Sequence, residues 1–196
     1  MKLVAVSQRV DVWAQRNESR DALDQKMNEF LQKCGFAAVP VPNTANSDHL
    51  ISFLKLLSPT GIVLSGGNEI GEVSIRDSTE RVLLDYAEYK QLPVLGVCRG
   101  MQFMGYRDGM KLAAVEGHVS TRHKLFGEIN HEVNSYHRFS LLECPKSFLV
   151  TAESEDKKIE GIRHQYLDWE GWMWHPEREK GFNSNDIQRL KSLFEE

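Results

Sequence analysis

The chain has 196 residues with 24 Lys and Arg against 28 Asp and Glu, a net charge of −4, which excludes the basic surface that general nucleic-acid binding requires. Its 41% apolar and 27% charged residues sit near globular averages, and no run approaches the ~20 apolar residues of a membrane helix, so neither wholesale disorder nor a spanning segment is expected. A globule of this size buries roughly 70% of its unfolded surface, and one domain over 1–196 is the expectation.

Residues Met1–Ser7 turn polar too soon for a signal peptide, so the expected compartment is the cytosol. Residues 2–6 read as a short buried strand. Leu23, Met27, Phe30, Leu31 and Cys34 form one stripe of an amphipathic helix over 19–33, stopped by Gly35. Arg16, Arg20, Lys26 and Lys33 would lie on its exposed face. Phe36–Val41 reads as a second strand, closed by Pro42, and Ser47 as the cap of a helix carrying Leu50, Ile51, Leu54 and Leu57. Gly61–Ser65 is a third strand, running into Gly66-Gly67. Asp77 or Ser78 caps a helix reaching Lys90, and 93–97 is a fourth strand with Cys98 at its end.

This alternation predicts an α/β fold, a flavodoxin-like three-layer α/β/α arrangement around a mostly parallel sheet. Beyond it, 110–116, 131–142, 148–152 and 159–174 read as strands, partly antiparallel, with 110–145 open between sheet and a small lid. Asn183 or Ser184 starts a last helix that turns Ile187, Leu190 and Phe194 inward, and Trp169, Trp172 and Trp174 read as core or rim packing.

Three cysteines (Cys34, Cys98 and Cys144) stand at no metal-like spacing, so neither a disulfide framework, a metal nor a cofactor is expected. In Gly96-Val97-Cys98-Arg99-Gly100, glycines two before and two after Cys98 let a strand turn sharply into a helix and project a nucleophile. The helix N-terminus favours a thiolate. Taken alone, the pentapeptide leaves open a buried, inert cysteine. In His175-Pro176-Glu177 an extended chain places i and i+2 on one side, so Glu177 can orient the His175 ring; taken alone it reads rather as a surface turn. Together they make a nucleophile, base and orienter set. The glycines of Ser65-Gly66-Gly67 let backbone N–H groups face an oxyanion. Ser7, Gln8 and Arg9 would share the sheet edge with Cys98, and Gly117–Lys124, with Arg122 inside it, is a basic loop open between solvent and phosphate recognition.

Gly96–Gln102, His175-Pro176-Glu177 and Ser65-Gly66-Gly67 stand in an order and spacing that resembles class I glutamine amidotransferase-like proteins. Val133–His137 and Arg76-Asp77 are similar to the γ-glutamyl hydrolase branch. The resemblance covers about 60–178. It implies Cys98 as nucleophile, His175 as acid and base, Glu177 as orienter, and an oxyanion hole from the N–H of Arg99 and of Gly67 or Gly66. It also implies Gln102, Asn134, Ser135, Tyr136 and His137 as contacts of the glutamyl group. Arg9 and Arg122 are then candidates on the leaving-group side, toward a small γ-glutamyl substrate that can be nucleotide-linked. After the nucleophile helix the family has paired glycines and a long structured stretch; here Asp108-Gly109 and a short run stand instead.

Overall fold

The computed structural model describes residues 1–195. The first half contains β1 (Lys2–Val6), β2 (Arg9–Trp13), β3 (Glu18–Ala22), α1 (Gln25–Lys33), β4 (Phe36–Pro40), α2 (Ser47–Leu57), β5 (Gly61–Leu64), α3 (Ser74–Lys90) and β6 (Val94–Val97). The second half contains α4 (Arg99–Arg107), β7 (Leu112–Ala114), β8 (Val119–Lys124), β9 (Phe126–Gly127), β10 (Glu132–Tyr136), β11 (Phe139–Leu141), β12 (Phe148–Glu153), β13 (Ile159–His164), β14 (Trp169–Trp172) and α5 (Ser184–Glu195).

Eight strands form one sheet in the order β4-β1-β5-β6-β14-β13-β12-β9. The pairings from β4 to β14 are parallel and those from β14 to β9 antiparallel. The parallel half thus has the flavodoxin-like order, and the sheet as a whole is mixed. Strand alternation divides the core in two. Ala5, Ile62 and Leu64 face α2, α3 and α4 through Leu50, Leu54, Leu83 and Phe103. Val4, Val6, Val63 and Leu95 face α1 and α5 through Phe30, Leu31, Leu190 and Phe194. The three tryptophans at 169, 172 and 174 are buried, the last two stacked at 5.3 Å.

The expected helix over 19–33 is shorter than its apolar stripe suggests. Asp24 accepts from the Lys26 N–H and starts α1 at Gln25. Residues 9–22 instead form the antiparallel β2–β3 hairpin, turned at Asn17 with φ 49°. Arg16 and Arg20 therefore sit on the hairpin and not on a helix. Other boundaries shift for local reasons. Asn46, not Ser47, caps α2 by accepting from the His49 N–H, and α3 starts at Ser74, before the expected Asp77 or Ser78. Segments 131–142 and 159–174 each split into two strands. Gly117–Lys124 is mostly strand: β8 pairs with β10, and β7 with β11, in two small sheets outside the main one. The region 110–145 is thus the separate excursion rather than sheet, apart from β9 at the sheet edge. None of the helices among the described residues is long and apolar enough to cross a membrane.

Candidate active site

Cys98 lies where β6 meets α4. Its N–H still donates to the Trp172 carbonyl at 2.7 Å, as a strand residue would, while its carbonyl accepts from the Gln102 N–H at 3.1 Å and opens the helix. Serving both elements forces φ 53° and ψ −106° on a side chain with a Cβ, a sparsely populated conformation. Gly100 makes the turn possible, since a Cβ there would lie 2.2 Å from the Leu64 carbonyl oxygen. Cys98 is only 7% exposed, at the wall of a cavity. The N–H of Arg99, at the first helical position, belongs to the turn that has no intrahelical acceptors.

His175 follows β14 and is 2% exposed. Its Nδ1 is 2.7 Å from Glu177 Oε1, so Nδ1–H donates to the carboxylate, and the ring is near enough to the Cys98 sulfur to feel its charge. The expected extended segment is in fact a short 3-10 turn, Pro176–Arg178, which brings the two side chains together just as well because proline fixes its first φ. Burial alone lowers the basicity of this ring; Glu177 and the Cys98 sulfur outweigh it and hold the imidazole up at about 10. Gly66 packs against it closely, as a Cβ at Gly66 would lie 2.7 Å from His175 Cε1.

The glycine loop is aimed by a buried arginine. Arg76, fully buried on α3, donates to the Ser65 and Gly66 carbonyls at 2.7 and 3.0 Å and to that of Gly67. A trans peptide points its N–H opposite to its carbonyl, so pinning the Gly66 carbonyl on Arg76 turns the Gly67 N–H the other way. Burial lowers Arg76 to about 10, against the pull of Glu80, which leaves it charged at neutral pH. Glu80 pairs with Arg76 at 3.1 Å and with Arg99, and accepts from Ser7 Oγ at 2.8 Å. Asp77 takes a second Arg99 nitrogen. The Arg99 side chain therefore points into the protein while its backbone N–H stays at the turn.

A cavity of about 410 Å³ opens beside Cys98. Of the residues expected at the site, Cys98, His175, Gly67, Arg99, Gln102, Tyr136, His137 and Arg9 line it. A second cavity, of about 300 Å³, lies against Ser65, Gly66, His175 and Glu177, walled by the β2–β3 hairpin and α1 and shared with Arg9 and Arg178. Gln102 donates to the Phe139 carbonyl at 2.8 Å, while its Oε1 is buried without a partner. Asn134 and Ser135 line neither cavity. Asn134 binds the His175 backbone, and Ser135 Oγ donates to the His118 carbonyl at 2.6 Å. Arg122 is not brought to the site; it is half-exposed and spent on Glu132 and Glu179.

Arg138, Arg178, Glu69 and Glu72 also line the cavity, and no sequence motif singles them out. Arg138 and Arg178 directly follow the Asn134–His137 and His175–Glu177 motifs, which is the signal that could have found them. Arg178 stacks over the Tyr136 ring at 4.8 Å. Desolvation and the neighbouring Glu72 push the Glu69 carboxyl up.

The chain is 28% identical to γ-glutamyl-CDP-amidate hydrolase of Campylobacter jejuni, over 97% of this chain and 96% of that one. It is 27% identical to a subunit of the glutamine-hydrolyzing GMP synthase of Pyrococcus abyssi, over 81% and 86%. A solved structure from Thermoplasma acidophilum, described as a GMP synthase subunit, superposes with a TM-score of 0.74 at 19% identity, covering 100% of this chain and 94% of that one. The family model for glutamine amidotransferase class-I matches residues 18–192, and the chain belongs to that family.

Proposed function

We propose that this protein hydrolyses a γ-glutamyl amide bond through a thioester on Cys98. The observation that carries the reading is the meeting, in one cavity wall, of a strained elbow cysteine with an imidazole already held by a buried carboxylate. The Cys98 thiolate attacks the γ-carbonyl carbon. Negative charge develops on the carbonyl oxygen, and the N–H groups of Arg99 and of Gly67, or Gly66, receive it; such preset donors are each worth about 3–4 kcal/mol. His175, protonated at neutral pH, gives its proton to the leaving nitrogen. The C–N bond breaks and the amine departs. His175, now neutral, takes a proton from water as the water attacks the thioester, and glutamate leaves with the thiolate restored.

The glutamyl group fits the side of the cavity near Gln102, Tyr136, His137 and Arg138. The unpartnered Gln102 Oε1 is an acceptor for an α-ammonium group, with Glu69 and Glu72 adding charge, and Arg138 suits the α-carboxylate. Arg9 and Arg178 border both cavities, which favours an anionic leaving group lying along the hairpin. A nucleotide phosphoramidate such as γ-glutamyl-CDP-amidate has that character, and the relative of that name matches along nearly the whole chain. A second reading is a glutaminase subunit that passes ammonia to a separate synthetase, favoured by the similarity to part of a glutamine-hydrolyzing synthase.

The test is glutamate release by the purified chain from γ-glutamyl-CDP-amidate and from L-glutamine, with Cys98→Ser as control. Rapid release from the nucleotide substrate alone, absent in the variant, supports the hydrolase. Release from glutamine only, or from neither until a synthetase is added, overturns it in favour of the glutaminase reading.

A further inference from the structure

His118, His123, His137 and Glu160 come from four places in the chain: the turn before β8, β8 itself, the β10–β11 link and β13. One donor atom of each lies within 4.8 Å of all the others. His118 Nδ1 is 3.2 Å from His137 Nε2. Glu160 Oε1 is 3.3 Å from the first and 3.2 Å from the second, and Glu160 Oε2 is 3.3 Å from His123 Nε2. With metal–ligand bonds of ~2.05 Å, the edge of a tetrahedron is ~3.3 Å, which is the spacing His118 Nδ1, His137 Nε2 and Glu160 Oε1 already have, while His123 completes the group within 4.8 Å.

The outer atoms of the cluster decide what its inside can hold. His118 Nε2 faces Asp156 Oδ2 at 3.1 Å, and His137 Nδ1 faces the Phe139 carbonyl at 3.0 Å. Both partners only accept, so both of those ring nitrogens carry hydrogen. In the neutral rings that leaves His118 Nδ1 and His137 Nε2 as bare lone pairs, directed at one another and at a carboxylate oxygen. Three acceptors converge with no donor among them. His123 Nε2 and Glu160 Oε2 are likewise buried without a hydrogen-bond partner, and Glu160 is 0% exposed. A cation at the centre satisfies all of these atoms at once. A carboxylate or carbonyl behind a ligating imidazole is also the usual outer support of a metal site.

We propose that His118, His123, His137 and Glu160 bind one divalent transition-metal ion, zinc by preference of ligand type and geometry. With four protein ligands the site is closed and leaves no position for water or substrate, so its role is structural. It clamps the β8–β10 excursion onto β13 of the main sheet. His137 stands between Tyr136 and Arg138, which line the cavity beside Cys98, so the metal would hold that cavity wall in register. No sequence motif announces the site, because the ligands are spread irregularly over residues 118–160 and none is a cysteine.

The test uses the full chain, stripped with a chelator and titrated with Co2+. The expected result is uptake of a single equivalent with the visible absorption of tetrahedral Co2+, bleached by a single equivalent of Zn2+, and a rise of Tm on adding Zn2+. The band persists in Cys98→Ser and is lost in His123→Gln and in Glu160→Gln. Should those variants fail to fold, histidine nitrogen shifts of the Zn2+-loaded wild type show ligation through Nδ1 of His118 and Nε2 of His123 and His137. The proposal is overturned by absence of stoichiometric uptake, by a band that survives both variants, or by metal-free histidines that are all doubly protonated, which would make the cluster a proton-charged one.

Discussion

Asn134 grips the backbone of His175 at both polar atoms: its Nδ2 donates to the His175 carbonyl at 2.7 Å and its Oδ1 accepts from the His175 N–H at 3.0 Å. Glu179 holds Asn134 in turn, accepting from its Nδ2 at 2.7 Å. His175 is thus positioned by a side chain from the excursion, which is joined to the segment after β14 at the point where the chemistry is proposed. Asn134→Ala should lower kcat by about 10–10² with KM little changed, the scale of losing an outer support. A direct substrate contact would show the opposite split, with KM raised. Steady-state kinetics on the purified variant decides.

Glu177→Gln keeps the shape of the orienter and removes its charge. The amide can offer its NH2 to Nδ1 and select the wrong tautomer, so a loss of about 10⁴-fold in kcat is expected, by analogy with the corresponding change in a serine-protease triad. Binding of an unreactive substrate analogue, followed by calorimetry, should be unaffected.

Two glycine substitutions should fail in different ways. Gly66→Ala drives a Cβ to 2.7 Å from His175 Cε1, and a ring can move. Its kcat should fall by about 10²-fold or more, since a misplacement of ~1 Å costs that much, with Tm nearly unchanged. Gly100→Ala drives a Cβ to 2.2 Å from the Leu64 carbonyl oxygen, and backbone of the central sheet cannot. That variant should lose stability beyond the 1–3 kcal/mol typical of overpacking, roughly, and circular dichroism melting distinguishes the two.

The His175 ring should keep its proton to about pH 10, measurable by NMR titration of the imidazole. Its folded value lies above its ordinary value of 6.5. The protonated ring therefore stabilises the fold fully below pH 6.5, and that contribution disappears as pH rises toward 10. Removing either raising partner, by Glu177→Gln or Cys98→Ser, should move the midpoint down; an unchanged midpoint would refute the pairing.

Iodoacetamide at neutral pH should mark Cys98 ahead of the other thiols. Burial pushes Cys34 up to about 12 and raises Cys144 as well, so both are poorer nucleophiles. Peptide mass spectrometry after brief labelling reads the order directly, and substrate should protect Cys98 alone.

Much of the fold is legible because it depends on local pattern. The apolar strands at 2–6, 61–64 and 94–97 are hydrophobic on both faces, as strands covered by helices must be, and they announce the parallel half. The elbow glycines and the His175–Glu177 spacing are local too. The β3 arm of the hairpin is hidden because it exposes Ser19, Arg20 and Asp21, which suit an exposed helix equally well, and because Leu23 lies in phase with the α1 stripe just beyond the Asp24 cap. Asn134 reads as a substrate contact since nothing in its neighbourhood names His175, 41 residues away, as its partner. Arg76 shows the same limit: its three carbonyl acceptors at Ser65–Gly67 become visible only once α3 packs on β5.

The backbone at Cys98, with φ 53° and ψ −106°, sets heat resistance against activity at a single position. A non-glycine residue there costs on the order of 1–3 kcal/mol, and glycine would release it at the expense of the thiol. Cys98→Gly should melt higher than the wild type. A laboratory population screened only for survival of heating would drift toward an inert protein, and would begin at residue 98.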